Sequence, residues 1–160
     1  MAFNISNVAG VDLLNANDSA QFTPNTRVSG SQDSLWCYVE ASGAITTGDL
    51  VYITTSGTAL RCPTSGSTLA GTSDIAFAQH AFTSGQFGWV AKNGNNMYVA
   101  VSATVSPSAV LYVATMTGKL STTSASGTLM GVSLLAASTT ATNSVTTANL
   151  TWPKWAGAGN

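Results

Sequence analysis

Short apolar runs, separated by Gly, Asn, Ser and Thr, set the plan of this chain. The stretch from Asp74 to Val105 shows it most clearly. Ile75 to Phe82, Phe87 to Lys92 and Met97 to Ser102 are apolar segments, parted by Thr83-Ser84-Gly85-Gln86 and by Asn93-Gly94-Asn95-Asn96. This pattern predicts a meander of three antiparallel strands, with the second connection a tight hairpin. Asn-Gly between apolar runs is the strongest short-range hairpin signal, because both residues tolerate positive φ.

The same reading extends to either side. Leu35 to Glu40 and Leu50 to Thr54 are strands rich in aromatic and β-branched residues, with a turn bracketed by Gly43 and Gly48 between them. Ser56-Gly57 turns the chain into Ala59 to Cys62, which Pro63 ends. Thr64 to Ser73 reads as a polar loop. Beyond Pro107 come Val110 to Ala114, a turn at Thr117-Gly118, Lys119 to Thr122, Leu129 to Leu135 and Ser144 to Thr151. Residues 1–34 keep no regular period and are expected to be an extended arm. Its Phe3, Ile5, Val8, Leu13, Leu14 and Phe22 would find cover on a neighbouring chain. Residues 35–151 form the β-rich core domain, and residues 152–160, with Trp152 and Trp155, form a tail.

The fold class is therefore all-β, a small antiparallel β-sandwich or barrel. One echo bears on its layout: Leu50-Val51-Tyr52-Ile53 before Ser56-Gly57 resembles Val110-Leu111-Tyr112-Val113 before Thr117-Gly118. It reads either as two similar sheet halves packed face to face or as coincidence within a Thr-rich β sequence.

Composition narrows the function. Charged residues are 7% of the 160, against about 25% in an ordinary soluble domain, so much of the surface is expected to be covered by partners. With a net charge of -1 and its five bases scattered singly, the chain has no electrostatic case for nucleic acid. No apolar run approaches the roughly 18 residues of a membrane-spanning helix. The start, Met1-Ala2-Phe3-Asn4, lacks the basic and apolar blocks of a signal peptide, which points to assembly in a cytoplasm. Cys37 and Cys62 then fit two buried free thiols better than a disulfide or a metal site.

Candidate chemistry is thin. His80 is the only histidine, placed within a predicted strand, and no Gly-x-Ser-x-Gly elbow accompanies it. Of the six acids, only Glu40 and Asp49 lie near a common hairpin, and Asp49 after Gly48 reads more simply as a turn residue. Metal-ligand spacings and phosphate-cradling glycine motifs are absent. The expectation is a protein that is not an enzyme, with no cofactor and no metal. Trp36, Trp89, Trp152 and Trp155 are read as packing or interface groups, the alternative being a sugar-stacking platform.

The middle of the chain resembles a family. Gly48-Asp49-Leu50-Val51-Tyr52-Ile53, Ile75-Ala76-Phe77-Ala78 and Gly85-Gln86-Phe87-Gly88-Trp89-Val90 are similar, in that order, to motifs of the capsid cement or head decoration proteins of tailed bacteriophages. The resemblance spans about residues 44–135 and leaves out the arm and the Trp-Pro-Lys-Trp end. It implies a non-catalytic virion protein on the outer surface of the head, commonly a trimer, that ties neighbouring major capsid protein subunits together. Phe3, Ile5, Phe22, Trp36, Trp89, Trp152 and Trp155 are the expected interface residues. The alternative function is a carbohydrate-binding head or tail-fibre module.

Overall fold

The computed structural model describes residues 11–63, 74–102, 104–114, 118–123, 127–138 and 144–157. They hold ten strands and, among the described residues, no helix: β1 (Arg27–Ser29), β2 (Leu35–Ala41), β3 (Leu50–Ile53), β4 (Thr58–Arg61), β5 (Asp74–Ala78), β6 (Phe87–Val101), β7 (Leu111–Val113), β8 (Leu120–Ser121), β9 (Gly127–Leu134) and β10 (Ser144–Gly157). The all-β expectation holds, and nearly every strand lies where the apolar runs placed it. All ten belong to one mixed sheet.

The pairings close on themselves twice. β2 runs parallel to β4, β4 pairs β3, β3 pairs β5, β5 pairs β6, and β6 returns to β2. Likewise β6 runs parallel to β8, β8 pairs β7, β7 pairs β9, β9 pairs β10, and β10 returns to β6. Each pairing of the first ring recurs in the second with every strand advanced by four. Small details recur with it. The Ser42 N–H donates to the Ala59 carbonyl (3.0 Å) and that of Ser102 to Leu120 (2.8 Å); the bridge Ile45–Phe82 has its counterpart in Val105–Ser138. Gly57 (φ 83°) and Gly118 (φ 74°) take matching places, each two residues before the strand residue, Ala59 or Leu120, that pairs with Ile53 or Val113. The echo between residues 50–57 and 110–118 therefore marks a structural repeat. Its clearest sequence trace is Tyr38-Val39-Glu40-Ala41-Ser42 against Tyr98-Val99-Ala100-Val101-Ser102.

The halves are not separate layers, because β6 is common to both rings. Asn93-Gly94-Asn95-Asn96, expected as a hairpin turn, lies within this single 15-residue strand. The positive φ values are present, at Gly94 (142°) and Asn96 (58°), but they bend the strand and do not reverse it. Leu35 of β2 faces Asn93, and Leu150 of β10 faces Gly94, so the partner changes at this point. Asparagine side chains satisfy the irregular backbone here. Asn93 Nδ2 donates to the Asp33 carbonyl (2.7 Å), and Asn149 Oδ1 accepts the Asn96 N–H (3.2 Å). At Gly94 the positive φ is the reason for glycine, since the nearest atom to a Cβ there would be the movable methyl of Met97.

Alternation along the strands builds two cores. Cys37, Val39, Ala41, Val51, Ile53, Ala59, Ala76, Ala78 and Val90 come from all five strands of the first ring and pack together on one side. On β6 the odd positions, Trp89, Ala91, Met97, Val99 and Val101, point the other way. They join the inward residues of the second ring, such as Leu111, Leu120 and Ala148, with Trp36, Tyr38 and Phe77 of the first. The rings thus lie on opposite faces of β6.

Both ends differ from expectation. β1 pairs with β2, Leu13 is buried in the core, and Phe22 packs edge-on against Tyr38 and Trp89, with centroids 5.3 Å away in each case. The segment 11–34 is thus no free arm, since Val11, Leu13, Phe22 and Val28 pack on their own chain and, of its large apolar groups, only Leu14 is exposed. The expected tail is not separate either: β10 runs on to Gly157 and pairs with β9 from Lys154–Met130 to Gly157–Gly127. Pro153 does not stop it, because Pro153 falls in the three residues 151–153 that bulge opposite Gly131 alone.

Candidate interaction surface

Most of the few charges are committed inside the molecule. Asp74 accepts from Arg27 (2.9 Å) and is also paired with the buried Lys92. Asp49, expected as a plain turn residue, is fully buried; it lies 2.9 Å from Arg61 Nε and 3.3 Å from Lys119 Nζ, and accepts from Thr46 N and Oγ1 at 2.8 Å each. Two carboxylates therefore hold four of the chain's five cations. Asp49 also ties the rings together. Arg61 ends β4 and Lys119 precedes β8, where the Gly118 turn accepts the Leu50 N–H (2.8 Å) and donates to the Cys62 carbonyl (2.9 Å). A fully buried carboxylate held between two cations is closed to substrate, and Glu40 stands apart from it, on β2.

His80 lies in the bend after β5 and not in a strand. Its ring stacks obliquely on Phe82 at 4.2 Å, and both rings sit over Gly88, where a Cβ would come within 2.8 Å of Phe82. Nδ1 is 3.1 Å from the Ala81 carbonyl, and the buried Nε2 makes no hydrogen bond. Burial pushes the imidazole below its ordinary value, opposed in part by the Ala81 carbonyl and by Asp12. A base depressed in the fold binds fewer protons there than in the unfolded chain. Its contribution to stability is therefore complete above the ordinary histidine value near 6.5 and fades as pH falls below it. Urea unfolding between pH 7 and 5 should show stability falling with acid, by at most about 1.4 kcal/mol per pH unit from this one group. His80→Phe should flatten that slope; an unchanged slope would assign it elsewhere.

Cys37 and Cys62 are buried and free. Burial raises both thiols, Cys62 to about 12, so neither offers a thiolate nucleophile at neutral pH. No group of three or more His, Cys, Asp and Glu among the described residues is placed to hold a metal.

The expected interface residues separate sharply. Trp36 and Trp89 are core residues, 0% and 1% exposed, because both stand on inward positions of β2 and β6. Trp36 Nε1 donates to Ser34 Oγ (3.2 Å). Phe22 is half-buried on its own sheet. Phe3 and Ile5 lie outside the described residues, and Trp155 is placed only by its pairing with Leu129. Trp152 is the one that meets solvent, 53% exposed in the β10 bulge. Its φ of 50° is an outlier for a bulky side chain. Opposite it, Gly131 has φ 78°, and a Cβ there would stand 2.4 Å from the Thr151 carbonyl oxygen. Met130, beside that glycine, is 59% exposed.

Sequence reasoning missed the other exposed apolar groups. Among the described residues, the large hydrophobic side chains open to solvent are Leu14 and six in the second half: Tyr98, Val110, Met130, Leu135, Val145 and Trp152. Leu14 lies in the expected arm and Trp152 in the expected tail; the rest belong to runs that read as strands, and only the path of the sheet shows which of their positions point outward. The described residues include no helix long and apolar enough to cross a membrane. No protein-family model matches this chain, and no curated protein sequence matches it.

Proposed function

We propose that this chain is a structural virion protein, a cement or decoration protein on the outer surface of a tailed-phage head, holding neighbouring major capsid protein subunits together. The observation that carries the proposal is Trp152. A large ring is held half in solvent by a strained backbone, beside Met130, on a protein that has four of its five cations paired with carboxylates. Backbone strain of this kind persists where the surrounding structure holds it, and it points to use. Exposed Trp and Met are typical anchors of protein interfaces. Many copies on a lattice turn a modest contact into high avidity.

The sugar-binding alternative loses much of its support, because Trp36 and Trp89 are packed in the core and have no face left for a pyranose ring. The test is to add the purified chain to heads of its source phage assembled without it, and to measure saturable co-sedimentation. Tight binding by the native chain, weakened at least tenfold by Trp152→Ala, is the expected result. Absence of binding would overturn the proposal.

A further inference from the structure

Backbone strain is gathered at one corner of the molecule. Of the five non-glycine residues with positive φ among those described, Gln32 (57°), Asp33 (57°), Asn96 (58°) and Trp152 (50°) lie in three segments that meet there: the turn 31–34, the bend of β6 and the bulge of β10. The segments touch directly. A Cβ on Gly94 would stand 3.1 Å from Ser34 Cβ, and one on Gly131 would stand 3.1 Å from the Trp152 carbonyl oxygen. The turn is closed by its own bonds, from the Ser34 N–H to the Ser31 carbonyl (3.2 Å) and from the Gly30 N–H to the Ser34 carbonyl (2.8 Å).

One side chain joins all three. From the bend, Asn93 Nδ2 donates to the Asp33 carbonyl of the turn (2.7 Å), and Asn93 Oδ1 accepts the Trp152 N–H of the bulge (3.2 Å). A carboxamide suits this place because it carries a donor and an acceptor on one short planar group. Aspartate at neutral pH has acceptors only, and a serine or threonine has a single oxygen for both tasks. The partners also fix which way the amide points, since the reverse would set oxygen against carbonyl and N–H against N–H. The Asn93-Gly94 pair, which reads as a hairpin turn in the sequence, therefore has a different use in the fold.

We infer that Asn93 is a positioning residue for Trp152: its carboxamide, seated on the turn 31–34, holds the strained bulge that presents the ring. Strain of this kind persists only where the surrounding structure over-determines it. The ladder does not do so here. β10 pairs with β9 as far as Leu150–Val132 and again from Lys154–Met130, which leaves residues 151–153 outside the register. The bond from the Trp152 N–H to Asn93 supplies the hold that the ladder lacks. Without it the bulge is free to relax to an ordinary extended φ, and the ring would leave its place. The use of this clamp rests on the reading of Trp152 as an interface anchor, while the clamp itself is a property of the free chain.

Hydrogen exchange and nitrogen relaxation of the free chain, measured by NMR, test it with two variants that cut the clamp differently. Asn93→Ala removes both bonds. The Trp152 amide should then exchange at least tenfold faster and its indole should pass from ordered to mobile, while the buried Trp36 and Trp89 indoles stay as they are. Asn93→Asp keeps an acceptor for the Trp152 N–H but at neutral pH has no proton for the Asp33 carbonyl. It should speed exchange of the Ser34 amide in the turn at least tenfold and leave the Trp152 amide slow. A Trp152 indole already mobile in the native chain, a Trp152 amide as slow in Asn93→Ala as in the native chain, or the same acceleration at Trp152 in both variants would each overturn the inference. Binding to heads plays no part in these measurements, so a failure of the capsid reading and a failure of the clamp are told apart.

Discussion

Asp49→Asn is expected to destabilise the protein by about 3–5 kcal/mol, because it removes the carboxylate at the centre of a buried ionic group and leaves the Lys119 charge uncompensated there. The side chain is nearly isosteric, so packing is conserved and charge alone changes. Asp49 is fully buried, while Arg61 and Lys119 are 31% and 12% exposed, so the cations left behind are only partly able to recover hydration. The change also loosens the junction, where the Gly118 turn of the second ring is bonded to Leu50 and Cys62 of the first. Urea unfolding should therefore show a lower midpoint and, if the rings come apart first, two transitions in place of one. Adding Lys119→Met should restore part of the loss by removing one stranded charge. A single variant as stable as the native chain would mean that Asp49 is not the lock between the rings.

Trp89→Ala is the second large effect, about 3–5 kcal/mol, the usual cost of truncating a buried Trp or Phe. Trp89 packs edge-on to Tyr38 (5.0 Å) and Phe22 (5.3 Å), so the cavity would open under the segment 11–26 as well as inside the sheet. Faster proteolysis of that segment should accompany the loss of stability. Trp152→Ala gives the contrast. With its ring half in solvent, its removal should leave stability within about 0.5 kcal/mol. If the two substitutions ranked the other way, the burial pattern of β6 and β10 described above would be wrong.

These two tryptophans show what a linear reading can and cannot separate. Trp89, between Gly88 and Val90, and Trp152, before Pro153, were expected in one interface. Residue type says that a ring needs cover, but not whether the fold already supplies it. Phe22 is similar: the absence of periodicity in residues 1–34 was real, yet an irregular segment can bury its apolar groups on its own sheet. At Asn93–Asn96 local chemistry was read correctly and its use was not. Positive φ values occur there, but the bend hands β6 from β2 to β10, and neither partner strand is visible from within those four residues. Asp49 was legible as a turn former through Thr46, whereas its second cation, Lys119, is 70 residues away along the chain.

Local sequence was enough for the all-β class, the position of nearly every strand and the scarcity of charge. These follow from local properties: alternation of apolar residues, turn formers between them, and composition. Only the folded chain shows that β6 serves two rings, that four cations are held by two carboxylates, and that Leu13 and Phe22 are covered by their own sheet. Such features depend on which distant segments meet. The energy that selects those meetings is shared among many contacts far apart in the chain, so no short stretch records it.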